Sequence, residues 1–148
     1  PGLTMRTTMI TGFPGETDEQ FAELVEFVRQ QRFERMGVFT YSVEPGTPAV
    51  ELPNHVPEEK KEWRRDELMR VQQQIAFEWS QQQIGKTQPV ILDRRLEPDN
   101  VFVGRTLADA PDVDSLVYVT GESTHEAGEI LNCEIVAAED YDLIAVAI

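Results

Sequence analysis

The sequence predicts an α/β part, made of a strand–helix–strand unit of a parallel sheet and a long helix, followed by a small antiparallel β-barrel. Two segments rich in β-branched and apolar residues flank an amphipathic segment within residues 5–42. After Lys86, five short apolar runs alternate with turn-forming residues. The change in pattern places a domain boundary near Ile84, so we predict domains at 1–83 and 84–148.

The first unit begins with a predicted strand at Met5–Thr11, which a turn with two glycines and a proline ends. Thr17 lies three residues before Gln20, the spacing of a capping box that starts a helix. This helix should end near Arg32, and a second strand is predicted at Met36–Ser42. Strand, helix and strand in this order are typical of a βαβ unit.

Two parallel strands alone cannot bury both faces of a sheet, and they leave backbone N–H and C=O groups unpaired at the sheet edges. We therefore expect residues 1–50 to be part of a larger structure, a fragment rather than an independent fold. The chain begins at Pro1 rather than at Met, which fits this expectation. Exposed strand edges also predict self-association of the isolated chain through the truncated barrel edge.

A second helix is predicted from Pro57, through Glu58 to Gln83, with Gly85 as the stop. Its predicted apolar stripe, which we interpret as plain core contact, consists of Trp63, Leu68, Val71, Ile75 and Trp79.

The last 60 or so residues predict five short strands, at 88–92, 101–106, 116–119, 130–136 and 143–146. This pattern is typical of a small closed or nearly closed antiparallel barrel of the OB-like kind. Closure would protect the edges of such short strands.

Composition limits the class of protein. Hydrophobic residues make up 41% and charged residues 27%, which favours a globular chain. No apolar run approaches the roughly 20 residues of a membrane span, and the first residues do not resemble a signal peptide. The single Cys133 excludes an intramolecular disulfide, so we expect a cytoplasmic protein without a membrane partner.

Negative charge is concentrated in the second domain. The net charge is −14, and residues 84–148 hold 4 Lys+Arg against 13 Asp+Glu, a net of −9. Such a domain should repel nucleic acid and attract basic partners. The alternative interpretation is that the acidic surface serves only solubility.

Three groups of segments resemble one known family, the radical-S-adenosylmethionine (radical-SAM) methylthiotransferases. Residues 10–17 resemble a strand-to-helix turn late in the radical-SAM barrel, and residues 39–49 resemble the next strand and its loop. Residues 103–106, 109–114 and 139–143 resemble the terminal TRAM domain. The order and spacing of these segments match those of the family over nearly the whole chain.

The resemblance implies a [4Fe-4S] cluster, held by a Cys-x3-Cys-x2-Cys motif in intact members, that cleaves S-adenosylmethionine to a radical. Iron–sulfur ligation needs several thiolates, and Cys133 is the only thiol in this sequence. We therefore predict no catalytic residue and no metal ligand in this chain, and no activity of the chain alone. Cys133 is expected to act as a small buried hydrophobic residue. His55 and His125 are far apart and do not predict a metal site.

The resemblance also implies that Ile10 and Gly12 lie near the adenosine of S-adenosylmethionine. A glycine allows a backbone to approach a planar ring closely. The residues alone equally allow Gly12 and Gly15 to form only a tight turn, which Glu16 would cap or stiffen.

The resemblance is compatible with two classes of substrate for the intact enzyme. An acidic TRAM domain favours an aspartate of a basic small-subunit ribosomal protein. Its predicted contact residues are Asp109, Asp112, Asp114, Glu122, Glu126 and Glu129. A local basic stripe would instead favour an adenosine of transfer RNA, with Lys86, Arg94, Arg95 and Arg105 as the candidates. A third hypothesis is a non-catalytic acidic binding module.

Overall fold

In the computed structural model, which describes residues 3–96, 100–122 and 124–148, the chain divides into two compact units. The first unit ends at Ile75, and the second runs from Ala76 to Ile148. The division falls inside the longer of the two α-helices, Glu58–Gln81.

The first unit contains the predicted βαβ arrangement. Strand β1 is Arg6–Thr11, helix α1 is Asp18–Gln31, and strand β2 is Arg35–Thr40. The two strands are parallel neighbours over their full lengths. A short 3-10 helix at Pro48–Glu51 precedes α2, Glu58–Gln81.

The start of α1 has the local chemistry that the sequence predicts, and the helix ends at the predicted place, near Arg32. The Thr17 hydroxyl accepts a hydrogen bond from the Gln20 backbone N–H at 3.2 Å, and the Gln20 side chain accepts one from the Thr17 N–H at 3.0 Å. This reciprocal pair confirms the capping box. At the other end, Arg32 adopts the left-handed conformation with φ 51° and its N–H donates to the Val28 carbonyl.

The core of the first unit lies between the sheet and the two helices. The buried residues are Phe21, Val25 and Val28 of α1, Met36 and Val38 of β2, and Leu68, Val71 and Ile75 of α2. The prediction that Trp63 belongs to the apolar stripe is wrong, because its side chain is 57% exposed. Five residues before Leu68, Trp63 points away from the core face of the helix. Its ring lies beside that of the core residue Phe21, with the ring centroids 5.6 Å apart.

The second unit is the predicted small closed barrel. Its strands are β3 at Thr87–Leu96, β4 at Val101–Thr106, β5 at Val117–Thr120, β6 at Ile130–Glu139 and β7 at Asp142–Ala147. Around the barrel their order is β3-β4-β5-β7-β6. The interior is filled by Val90, Leu92, Phe102, Val117, Val119, Cys133, Ile135, Leu143 and Ala145, so Cys133 is a buried core residue as expected.

The prediction of a wholly antiparallel barrel is wrong at one place. Four of the five neighbouring strand pairs are antiparallel, but β5 and β7 are parallel. A closed ring with an odd number of strands cannot alternate direction throughout, so closure of five strands requires at least one parallel pair. Neither α1 nor α2, the α-helices of the described ranges, combines the length and apolar composition that a membrane crossing needs.

Candidate cofactor and substrate surfaces

The turn between β1 and α1 has a defined hydrogen-bonded geometry. The Glu16 N–H donates to the Phe13 carbonyl at 2.9 Å, with Pro14 second and Gly15 third in the turn. Gly15 has φ +85°, as a type II turn requires at this position. Its N–H donates to the Asn54 carbonyl at 2.9 Å, which ties the turn to the segment before α2.

The carboxylate of Glu16 folds back onto the end of β1. Both of its oxygens lie 3.1 Å from the backbone nitrogen of Gly12, which donates to them. The buried Thr11 hydroxyl also donates to it, at 3.1 Å. Glu16 therefore stiffens the turn, and it holds Gly12 in its left-handed conformation with φ +79°.

Two cations of α2 lie against this turn. The Arg64 guanidinium donates to Glu16 Oε1 at 2.5 Å and to Asp18 Oδ1 at 2.8 Å. The Lys61 ammonium donates to the Tyr41 carbonyl at 3.0 Å. Together with Lys60, which pairs with Asp18 at 2.7 Å, Arg64 holds the pKa of the Asp18 carboxyl below its usual 3.8.

Ile10 and Gly12 occupy different environments. Ile10 and its parallel neighbour Phe39 are 60% and 63% exposed, on the face of the sheet opposite Met9 and Val38. Ile10 can therefore offer apolar surface to a ligand. Gly12 is buried, and a Cβ atom there would overlap Cγ of Lys61. The side-chain space at Gly12 is thus occupied by Lys61.

The residues present do not fit an iron–sulfur cluster. In the described ranges, His, Cys, Asp and Glu form no group of three or more that could hold a metal ion. Cys133 points into the barrel core, where burial raises the pKa of its thiol and disfavours the thiolate that binds iron. His55 lies 3.1 Å from the Val50 carbonyl, and His125 lies 3.0 Å from Glu129.

Two of the acidic residues after β4 stabilise their own loop. Asp109 is buried, and its carboxylate accepts hydrogen bonds from the Thr106 N–H at 3.2 Å and hydroxyl at 2.6 Å. Asp114 accepts from the Ala110 N–H at 2.7 Å and is half-buried. Asp112 is exposed with φ 60°. The buried carboxylate of Asp109 is therefore not presented at the surface, unlike that of Asp112.

A surface groove of about 450 Å³ brings acidic and basic candidates together. Arg105 lies beside Asp93 in this groove and donates to it at 3.2 Å. The charged residues that line it are Asp93, Arg94, Arg105, Asp112 and Asp114, and we call this set the barrel groove.

The other candidates lie elsewhere on the barrel. Glu122 and Glu126 are exposed in the loop that precedes β6, and Glu129 ends that loop. The Lys86 ammonium donates to Gln83 at 3.3 Å. Arg95 donates to Asn100 at 2.6 Å and lies over the Phe102 ring. The four basic residues therefore do not line one groove, since only Arg94 and Arg105 belong to the barrel groove.

Lys61 and Arg64 were not predicted as site residues from the sequence. Both lie on the helix face that carries Leu68 and Ile75, seven and four residues before Leu68. A cation on the core face of a helix needs a buried partner, so this spacing was the available signal.

The chain is similar to known proteins over nearly its whole length. Residues 84–148 match the TRAM domain family. The ribosomal protein uS12 methylthiotransferase RimO of Clostridioides difficile is 48% identical over 144 residues, which are 97% of this chain and 32% of the relative. The proteins of the same name from Desulfitobacterium hafniense and Nostoc sp. are 46% and 45% identical, again over 97% of this chain and 32% of their own lengths.

The chain therefore spans about a third of the length of the curated relatives it matches. The resemblance to methylthiotransferases is confirmed: along nearly its whole length the chain matches the C-terminal part of the uS12 methylthiotransferases, with a TRAM domain at residues 84–148.

Proposed function

We propose that this chain is the C-terminal part of an enzyme that adds a methylthio group to an aspartate side chain of a small-subunit ribosomal protein. The observation that carries the proposal is the identity of 46–48% to two relatives named for modification of uS12. Because the chain covers a third of those relatives, we place the reacting groups outside it and expect the chain alone to be inactive.

We propose that the intact enzyme is a cytoplasmic radical-SAM enzyme, with its [4Fe-4S] ligands in the part outside this chain. S-adenosylmethionine would supply the 5′-deoxyadenosyl radical that abstracts hydrogen from the substrate. Within this chain, Ile10 is the residue whose exposed apolar side chain suits a contact with the adenosine. Gly12 would contribute its backbone, since its side-chain space belongs to Lys61.

We propose that the TRAM domain receives the basic protein substrate. The domain has 13 acidic against 4 basic residues. Asp112 and Asp114 line the barrel groove, and Val113, which lies between them in the sequence, is 68% exposed. Carboxylates beside an exposed apolar side chain suit a lysine- or arginine-rich protein segment, because both charge and contact area are offered. Glu122 and Glu126 add negative charge on a second loop.

The alternative substrate, transfer RNA, draws support from Arg94 and Arg105 in the barrel groove. Arg105 is already paired with Asp93, and the neighbouring Asp112 and Asp114 oppose a phosphate backbone. The geometry and the net charge therefore favour a protein substrate over RNA. A module without any enzymatic context would not account for the match of residues outside the TRAM domain.

Equilibrium binding of the 148-residue chain to the basic ribosomal protein and to bulk transfer RNA tests the proposal. Each titration is repeated across a salt series, because charge-driven binding weakens as salt rises. Tighter, salt-sensitive binding of the protein is expected. Preferential binding of transfer RNA would instead favour the RNA-modifying enzyme, and binding of neither would contradict a substrate-receiving role of the TRAM domain.

A further inference from the structure

Two cations of α2 are buried against the turn that follows β1. Arg64 is fully buried and Lys61 is 4% exposed. Long cationic side chains are rarely buried unless they are paired, because their charge must leave water. A helix that only covered the sheet could use apolar residues at these two positions, so their charges point to a more specific task.

Arg64 connects α2 to the backbone of Gly12 through Glu16. Its Nη1 donates to Glu16 Oε1 at 2.5 Å and to the Glu16 carbonyl at 3.3 Å. The same Glu16 carboxylate accepts the Gly12 N–H. Charge-assisted bonds of this kind are short and directional, so the position of Arg64 determines that of the Gly12 peptide.

Lys61 connects α2 to the end of β2. Its ammonium donates to the Tyr41 carbonyl at 3.0 Å, and the Tyr41 N–H donates to the Thr11 carbonyl at 2.8 Å. The Lys61 side chain also occupies the space beside Gly12. The two cations therefore fix the carboxyl ends of both strands, where ligands of parallel sheets commonly bind.

We propose that Arg64 and Lys61 are positioning residues: through Glu16 and Tyr41 they set the backbone of Gly12 and the carboxyl ends of β1 and β2. They thereby determine the affinity of the enzyme for S-adenosylmethionine without contacting it. This inference rests on the proposed function, which puts the adenosine against this turn.

The first test measures amide hydrogen exchange of Gly12 in the 148-residue chain. Two variants weaken the connection conservatively: Arg64→Lys keeps the charge but loses the planar fork, and Glu16→Gln keeps the shape but loses the charge. Arg65→Lys is the matched control, because the half-buried Arg65 pairs with its own neighbour Asp66. We expect exchange at Gly12 to rise at least about tenfold in both variants, since loss of one charged hydrogen bond is worth about that factor. Unchanged exchange at Gly12 in folded variants would overturn the inference.

The second test measures the equilibrium dissociation constant for S-adenosylmethionine of a full-length enzyme that carries this chain. Arg64→Lys or Glu16→Gln should raise the constant at least about tenfold over Arg65→Lys, because the Gly12 backbone loses a charge-assisted restraint, and such a hydrogen bond is worth about a tenfold change in an equilibrium constant. A purely structural role would lower the melting temperature but leave the dissociation constant of the folded enzyme unchanged. That result would overturn this inference and leave the proposed function standing. An unmodified enzyme that does not bind S-adenosylmethionine would overturn the proposed function as well.

Discussion

The Lys61 side chain occupies the space beside Gly12 that any other residue would need for its Cβ atom. Gly12 also has φ +79°, a conformation that non-glycine residues rarely adopt. Position 12 therefore requires glycine for two independent reasons. Gly15, three residues later, has φ +85°, but no atom lies within 4 Å of the place where a Cβ atom would be. At position 15 only the backbone conformation requires glycine.

This difference predicts unequal costs for two similar substitutions. Gly15→Ala should destabilise the first unit by about 1 kcal/mol, the cost of left-handed backbone alone. Gly12→Ala should cost about 2–4 kcal/mol, because overlap with Lys61 adds to the backbone term. Urea denaturation followed through Trp63 fluorescence, in a Trp79→Phe background, measures both. Equal losses in the free energy of unfolding would show that the Lys61 side chain moves away from the added methyl group without measurable cost.

A glycine of the barrel predicts a second steric effect. A Cβ atom on Gly104 would overlap the Ile91 carbonyl and lie 2.9 Å from Val90 Cγ1. Gly104→Ala should therefore destabilise the barrel by about 1–3 kcal/mol, the usual range for overfilled cores. Gly37→Ala is the control in another strand, because its Cβ meets only Phe39 at 3.8 Å. It should be neutral or stabilising in thermal unfolding. A tolerated Gly104→Ala would contradict the close strand contact.

The ion pairs of Asp18 predict a pH dependence. Its pKa lies below 3.8 because the hydrogen bond from Lys60, and then that from Arg64, favours the carboxylate. The folded pKa is depressed, so the stabilisation is present above about pH 4 and is lost as the pH falls through the folded pKa. Carboxyl titration by NMR should show this, and Lys60→Met should move the pKa toward 3.8. A pKa at or above 3.8 in the unmodified chain would contradict the pairing.

The acidic side of the barrel groove predicts a loss of binding when its charge is removed. Asp112→Asn with Asp114→Asn keeps an acceptor for the Ala110 N–H and a residue type that tolerates φ 60°. Affinity for the basic ribosomal protein should fall about two- to thirtyfold at low salt, since each exposed pair is worth about 0.2–1 kcal/mol. Glu134→Gln with Glu139→Gln, on β6 outside the groove, makes the same charge change. An equal loss of affinity in this control would indicate that binding depends on the net charge of the domain rather than on the barrel groove.

The burial of Cys133 predicts slow thiol chemistry. Burial raises the pKa of this thiol, so a smaller fraction is present as the reactive thiolate. A colorimetric disulfide reagent at pH 8 should react far more slowly with the folded chain than with the chain in urea. Equal rates would show that the barrel opens on the timescale of the assay.

Local sequence signals determined the elements of this protein. The spacing of Thr17 and Gln20 specifies the start of α1 by bonds within four residues, so it could be found without the fold. The five apolar runs after Lys86, separated by turn-forming residues, likewise predict the barrel strands, because short strands must bury apolar side chains in a common core. The acidic excess of residues 84–148, and the resemblance to methylthiotransferases, are also readable from the sequence alone.

Only the tertiary structure decided which residues meet. Asp109 resembles its exposed neighbours in sequence, but its hydrogen bonds to Thr106 bury it. The parallel β5–β7 pair follows from closing five strands, a property of the ring and of no single strand. The contact of Lys61 with Gly12 joins residues 49 positions apart. Periodicity and capping act over a few residues, whereas burial, ion pairing and steric overlap depend on chain segments that folding alone brings together.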